Sequence, residues 1–224
     1  MIIVRWFENA DAWMSETADL LQRHMSHEYD TPHAVILTGG QTPRPVYQAL
    51  AARPFPCSAT LRVLTSDERL VPPNEPENNF LHLWPMIKAL GLSSEQALPV
   101  ETGRGLDMAV AQQQAVLEDF LAQGGQVTLA LLGIGADGHT ASLFTLEDVM
   151  RGAGRHAIGV RRADGPDRVS LSAEFLRRAK RIVFLANGPE KAGVLARLQD
   201  EPWTLPAGCV SEGAHSVEVW ASPA

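Results

Sequence analysis

Apolar positions recur along this chain with two spacings, one helical and one strand-like, and the two alternate from one end to the other. Behind Asn9, a residue suited to an N-cap, Trp13, Met14, Thr17, Leu20, Leu21, His24 and Met25 mark one face of a helix. Ala34 to Thr38 is a short apolar run ended by two glycines, which predicts a strand buried on both faces. Pro43 suits the first position of a helix running to Ala51. The unit then repeats. Leu61 to Thr65 predicts a strand, a Pro- and Asn-rich loop covers Pro72 to Asn79, and a helix follows through Leu90. Leu106 to Gln123 has the clearest helical spacing, with Val110, Ala111, Gln114, Leu117, Phe120 and Leu121 on the expected inner face and Gly124-Gly125 as the stop. Val127 to Leu132 and Arg181 to Ala186 predict strands, Pro189 opens a helix to Gln199, and Val217 to Trp220 predicts a closing strand. Such alternation gives an α/β fold, a mainly parallel sheet with helices on both faces, here one domain over 1–224.

Ligands of such sheets sit at the C-terminal ends of the strands, and three of those ends are unusually polar or glycine-rich. The first is Thr38-Gly39-Gly40-Gln41-Thr42-Pro43-Arg44. Paired glycines let backbone N–H groups approach a ligand, and the helix start adds a positive dipole end, as a phosphate cradle requires; a tight strand-to-helix turn uses the same residues. The second is Thr65-Ser66-Asp67-Glu68-Arg69, where charges directly after a buried strand need a polar cleft or open solvent.

The third end, Gly133-Ile134-Gly135-Ala136-Asp137-Gly138-His139-Thr140-Ala141-Ser142-Leu143-Phe144, contains G-x-G-x-x-G. A dinucleotide site is disfavoured there, because Asp137 puts a carboxylate where a pyrophosphate would lie and the ribose-binding acid is missing. The strand-like His156 to Val160 ends instead in Arg161-Arg162. His139 is a candidate general base, since an unperturbed imidazole titrates near neutrality, and Asp137 is placed to orient it. Zinc is disfavoured, for no third or fourth ligand stands at a recognisable spacing, and a serine hydrolase lacks its G-x-S-x-G. Lys191 falls in the first turn of the Pro189 helix, where the dipole opposes a cation, so either an anion or solvent accompanies it. Arg168 opens the strand-like Arg168 to Ser172, as a second candidate anion contact or a surface charge.

Composition narrows the partners. Of 224 residues, 45% are apolar and 20% charged, ordinary for a globular protein, and the net charge of -7 disfavours nucleic acid and anionic membranes. Two cysteines make no disulfide framework, Arg5 interrupts the start too early for a signal-peptide core, and Leu129 to Ala136 is too short to span a membrane. These features predict a cytoplasmic protein.

Taken together, Gly39-Gly40-Gln41-Thr42-Pro43, Asp67-Glu68-Arg69-Leu70-Val71-Pro72 with Asn78-Asn79-Phe80, Gly133 to Phe144, Arg168 to Ser172 and Gly188-Pro189-Glu190-Lys191-Ala192 resemble the 6-phosphogluconolactonase family. That family is of the type related to glucosamine-6-phosphate deaminase and ribose-5-phosphate isomerase, and the matching segments lie in order over most of the chain. The resemblance implies a Rossmann-like fold and cofactor-free, metal-free hydrolysis of 6-phospho-D-glucono-1,5-lactone, the second step of the oxidative pentose phosphate pathway. It implies His139 as the base that activates water. It also implies Gly39, Gly40, Thr42, Arg168 and Lys191 around the phosphate, with Asp67 and Arg69 at the sugar end. Two positions depart from the pattern, Gln41 where serine is usual and Thr145 where proline is usual after Leu143-Phe144. A phosphosugar isomerase or deaminase on the same scaffold is the nearest alternative, and a non-catalytic phosphosugar sensor is another. The expected partner is a small phosphorylated sugar lactone, bound by a monomer or small homo-oligomer.

Overall fold

The computed structural model describes residues 2–222. In chain order its elements are β1 (Ile2–Trp6), α1 (Ala10–Ser26), β2 (His33–Leu37), α2 (Arg44–Ala52), β3 (Leu61–Thr65), β4 (Asp67–Arg69), α3 (Asn79–Ala89), β5 (Ala97–Leu98), α4 (Leu106–Ala122) and β6 (Gln126–Gly133). The second half has α5 (Leu146–Arg151), β7 (Ala157–Val160), β8 (Arg168–Leu171), α6 (Ala173–Leu176), β9 (Ile182–Asn187), α7 (Ala192–Asp200), α8 (Pro206–Ser211) and β10 (Val217–Ser222). Seven strands form one parallel sheet in the order β1-β10-β9-β6-β2-β3-β5, and β4-β8-β7 form a small antiparallel sheet.

Alternation of side chains across the central strands divides the core in two. Val35 and Leu37 of β2 point with Leu129 and Leu131 of β6 toward α1, α2 and α3, whereas Ala34, Ile36, Ala130 and Leu132 face α4, α6, α7 and α8. Both faces are buried, so these strands read as continuous apolar runs. Trp13 is almost wholly covered and its indole N–H donates to the Trp220 carbonyl at 3.0 Å, so α1 gains apolar burial of ~1.5–3 kcal/mol at this residue with no stranded donor.

Local chemistry sets the element ends. The Asn9 side chain caps α1 by accepting from Ala12 N–H at 2.9 Å. Pro43 caps α2 and does not open it. The segment from Pro189 is a single 3-10 turn through Lys191, and α7 begins only at Ala192. The inner face of α4 is rotated from the expected one: Leu106, Ala109, Gln113, Leu117 and Phe120 are buried and Ala111 is exposed, because the helix leans on β7 and β8 as well as on the main sheet. Thr145, the departure from proline, caps α5 in a reciprocal box with Asp148.

The small sheet is fastened by Glu68. Its carboxylate is fully buried and accepts from the N–H groups of Arg69 (2.7 Å), Asn79 (2.7 Å) and Phe80 (2.8 Å), tying β4 to the first turn of α3. Burial pushes its pKa up to about 7, against the pull of those backbone donors. Near the N-terminal end of β2 in the main sheet, where His33 Nε2 lies 3.2 Å from its carbonyl, His24 in the last turn of α1 has a buried, unpartnered Nδ1, and burial followed by the positive charge of Arg181 and Arg23 lowers its pKa to about 4.

Between about 4 and 6.5 the unfolded chain holds a proton on His24 that the native state does not, so this residue lowers stability as pH falls from 6.5 toward 4. Glu68 acts with the opposite sign, since its raised pKa contributes stability at low pH that is lost as pH rises through about 7. The contribution of His24 is therefore isolated by comparison. The urea midpoint of the wild type is expected to fall more between pH 7 and pH 5 than that of His24→Gln, and parallel shifts in the two proteins would rule His24 out as the source.

Candidate active site

From β2 the chain runs outward through β3 to β5, then returns to place β6 against the other side of β2 and runs outward again through β9 and β10. The connections leaving β2 and β6 therefore go to opposite directions and open a crevice between their C-terminal ends. A cleft of about 270 Å³ lies there. Thr38, Gly39 and Gly40 line it from β2, Gly133, Ile134 and Gly135 from β6, and Asp67 and Arg69 from β4; Asn79, His139, Ala141 and Lys191 complete it. Wider hollows of about 740 Å³ beside α4 and α5 and about 640 Å³ beside α8 contain no histidine and lie away from this crevice.

The loop after β6 holds the imidazole in a defined state. Gly135 N–H donates to the His139 carbonyl at 2.9 Å and Thr140 Oγ1 donates to the Gly133 carbonyl at 2.8 Å, closing the loop on itself. His139 Nδ1 lies 2.6 Å from Asp137 Oδ1, which also accepts the His139 backbone N–H at 3.2 Å. Burial opposes the Asp137 charge, but the His139 backbone and imidazole hydrogen bonds outweigh it and hold the carboxyl below its usual range. An ionised carboxylate has no proton to donate, so Nδ1 carries the hydrogen, and Nε2 is the ring nitrogen left without a protein partner. Gly135 is needed for this pair, because a Cβ there would land on the imidazole and the carboxylate. No helix begins inside Gly133 to Gly138, since α5 starts only at Leu146, which removes the dipole end that a dinucleotide pyrophosphate uses.

Across the cleft the groups are donors. Among the described residues, the N–H groups of Gly39, Gly40, Gln41 and Thr42 have no partner in the protein. The buried Tyr47 hydroxyl donates to the Thr38 carbonyl at 2.7 Å and fixes where this loop leaves β2. Gly39 is kept small by the Asn79 side chain, on which a Cβ would land. Asn79 is in turn held by Nδ2 donating to the Asp67 carbonyl at 3.0 Å. Arg69 and Arg168 stand directly opposite across β4 and β8, and the Nε of each is buried without a partner. Burial, then the neighbouring Arg69 charge, presses the Arg168 pKa down. Two like charges facing each other with unsatisfied donors are a poor arrangement for an empty cleft and a good one for an anion.

Of the residues singled out by sequence, Gly39, Gly40, Asp67, Arg69, His139 and Lys191 line the one cleft. Asp137 stands behind the imidazole, Arg168 one strand beyond Arg69, and Thr42 on the donor loop just outside the lining. Gln41, which replaces the usual serine, accepts from Arg44 Nη1 at 3.3 Å. Asn79, Tyr47, Glu68 and Ser142 were not legible as site residues, because each acts through a partner distant in sequence; only the clustering of Asn78-Asn79 after Asp67-Glu68-Arg69 hinted at one of them.

Fold and cleft define a class: an α/β protein with a carboxylate-held histidine and a bed of anion-seeking donors at the switch point of a parallel sheet. The sequence profile of the family described as glucosamine-6-phosphate isomerases/6-phosphogluconolactonase matches residues 8–220, and the chain belongs to that family. It is similar to the 6-phosphogluconolactonase of Thermotoga maritima, 32% identical over 178 residues covering 77% of each chain. A crystal structure of 6-phosphogluconolactonase from the same organism superposes with a TM-score of 0.78 at 26% identity, over 99% of this chain and 100% of that one. A monomeric glucosamine-6-phosphate deaminase, 15% identical with a TM-score of 0.77, covers 99% of this chain and 97% of that one, a likeness of fold alone.

Because Gly135 lies beneath the His139–Asp137 pair, Gly135→Ala is expected to displace the imidazole and leave the core untouched. Turnover should fall by roughly 10²-fold, the scale of an ångström's misplacement, with the urea midpoint little changed. Full turnover in the folded variant would show that the pair need not sit where it does.

Proposed function

We propose that the chain hydrolyses 6-phospho-D-glucono-1,5-lactone to 6-phospho-D-gluconate, the second step of the oxidative pentose phosphate pathway, in the cytoplasm. The observation behind this reading is one cleft lined both by His139, with Nδ1 held by Asp137, and by the cations Arg69 and Lys191. Relatives named 6-phosphogluconolactonase support the choice of substrate.

A lactone is an activated ester, so the site must deprotonate water and steady one oxyanion; it needs no stronger nucleophile. His139 Nε2 accepts a proton as the water oxygen attacks C1. The tetrahedral oxyanion is met by glycine-loop N–H groups or by Arg69. Collapse then breaks the bond between C1 and the ring oxygen, and the imidazolium returns its proton to that oxygen. Gly39, Gly40, Thr42, Arg168 and Lys191 hold the phosphate, and Asp67 and Arg69 line the sugar end.

The reaction so written uses no cofactor or metal. Among the described residues no group of three or more His, Cys, Asp and Glu is arranged to hold a metal ion, and no helix is long and apolar enough to cross a membrane. The expected partner is the small phosphorylated lactone, taken up by a monomer or small homo-oligomer, with no role for nucleic acid.

The deciding assay is hydrolysis of freshly made lactone, corrected for spontaneous opening and compared with the unphosphorylated lactone. Turnover of the phosphorylated compound alone is expected, and release of ammonia from glucosamine 6-phosphate in its place would transfer the chain to the deaminase reading. In that assay His139→Ala should lower kcat by ~10²–10⁴-fold, the range of a lost general base; undiminished kcat would remove the imidazole from the mechanism. Lys191→Ala should chiefly raise KM, by roughly 10-fold or more for one lost charge-assisted hydrogen bond, and an unaltered KM would take Lys191 out of the phosphate site.

A further inference from the structure

Asp67 shares the cleft with Arg69 and Lys191 and stands on the strand paired with that of Arg168. Among the described residues, none of these three cations has a carboxylate within ion-pair distance. That separation calls for a cause. Asp67 and Arg69 are two residues apart on one strand and so point to the same face. Asp67 is only 9% exposed, and at low effective dielectric a carboxylate and a guanidinium attract strongly. Left to itself, the carboxylate would swing onto the nearest cation.

Instead, two hydroxyl groups hold it. Ser66 Oγ donates to Asp67 Oδ1 at 2.8 Å, and Ser142 Oγ donates to Asp67 Oδ2 at 2.6 Å. Ser66 is a chain neighbour, but Ser142 comes from the loop that bears His139 and is itself only 1% exposed. Its placement needs an unusual backbone. Ala141 has a φ of 49°, and among the described residues it is the one non-glycine residue in the left-handed region. Leu143 N–H closes the turn on the Thr140 carbonyl at 2.9 Å, and Ser142 N–H donates to Ser170 Oγ at 3.2 Å. Such a conformation persists only where its surroundings over-determine it, and it is enriched at functional sites.

We propose that Ser142 is a positioning residue of the anion site, whose hydroxyl, with that of Ser66, holds Asp67 away from Arg69 and Lys191 and so leaves Lys191 free for the phosphate of a ligand and Arg69 free for its sugar end. The inference rests on the lactonase reading only for the ligand's identity; the clamp itself requires no more than an anion in this cleft. Without the hydroxyl, Asp67 turns to the cations and competes with the ligand for them.

Inorganic phosphate is the probe, titrated calorimetrically at low ionic strength into wild type, Ser142→Ala, Asp67→Ala and the double variant. Ser142→Ala is expected to weaken phosphate binding roughly 10-fold, with KM for the lactone rising more than kcat falls. Asp67→Ala in the Ser142→Ala background is expected to restore phosphate affinity to within about 3-fold of wild type, because the competing carboxylate is gone. A residue with a merely structural role would not be rescued by removing its partner. Unchanged affinity in Ser142→Ala, or a double variant as weak as Ser142→Ala, overturns the proposal. Should Ser142→Ala not fold, Ser142→Cys fills the same volume with a weaker donor and is read against the same outcomes. Wild-type turnover is measured alongside, so absent lactone hydrolysis with the phosphate pattern intact would sink the lactonase reading and leave the clamp standing.

Discussion

The site exists because a parallel sheet grew outward in two directions from the seam between β2 and β6. Pairing along that seam, broken once by a bulge at Thr128, runs up to Leu37 and Leu131, and beyond it the two chains must part to reach opposite flanks. Where they part, backbone donors on one side lose their partners, and the glycines let a ligand supply replacements. A wall of the cleft comes from a different structure, the small antiparallel sheet, which rests on the C-terminal end of β3 through Ser66. Ser66 N–H donates to the Leu37 carbonyl and the Ser66 carbonyl accepts from Leu171 N–H, each at 2.9 Å, so one residue pins both sheets together.

Electrostatics are divided along the same line. The loop after β6 brings a negative carboxylate behind an imidazole. The small sheet brings guanidinium groups with unmet donors, an arrangement suited to an anion. Keeping these two halves from neutralising each other is the structural problem of the cleft, and rigid hydrogen bonding to the acidic members is how this sequence solves it. Glu68 shows the same economy in the fold itself, with a buried charge-bearing group satisfied wholly by backbone donors.

The main sheet was legible because its strands are buried on both faces. Leu61 to Thr65 agrees residue for residue, and the runs at β2, β6, β9 and β10 differ at their ends by one or two residues, the usual uncertainty of strand and helix termini. β1 was not legible. It is an edge strand with Ile3 and Trp6 exposed and Arg5 between them, so it shows neither a continuous apolar run nor a clean alternation. Of the small sheet, β7 and β8 were legible as the strand-like His156 to Val160 and Arg168 to Ser172, but β4 was not, since it consists of Asp67, Glu68 and Arg69, and nothing in their local sequence announces that β8 lies beside them. Within the cleft, residues whose chemistry is intrinsic to their type and place, such as His139 and the paired glycines, could be read directly. Tyr47 and Ser142 could not, because a hydroxyl has no signature until its acceptor is known.

Division of the cleft between two sheets has a thermodynamic consequence. A ligand that touches Gly39 and Gly40 on one side and Arg69 on the other adds a further cross-link between two sheets already joined through Ser66, Asn79 and Ser142. Its binding free energy is then added to the cohesion of the whole molecule in proportion to the logarithm of its concentration. In a metabolising cell, where such a compound is continually replenished, the occupied protein is the sturdier one, and depletion of the ligand removes that margin.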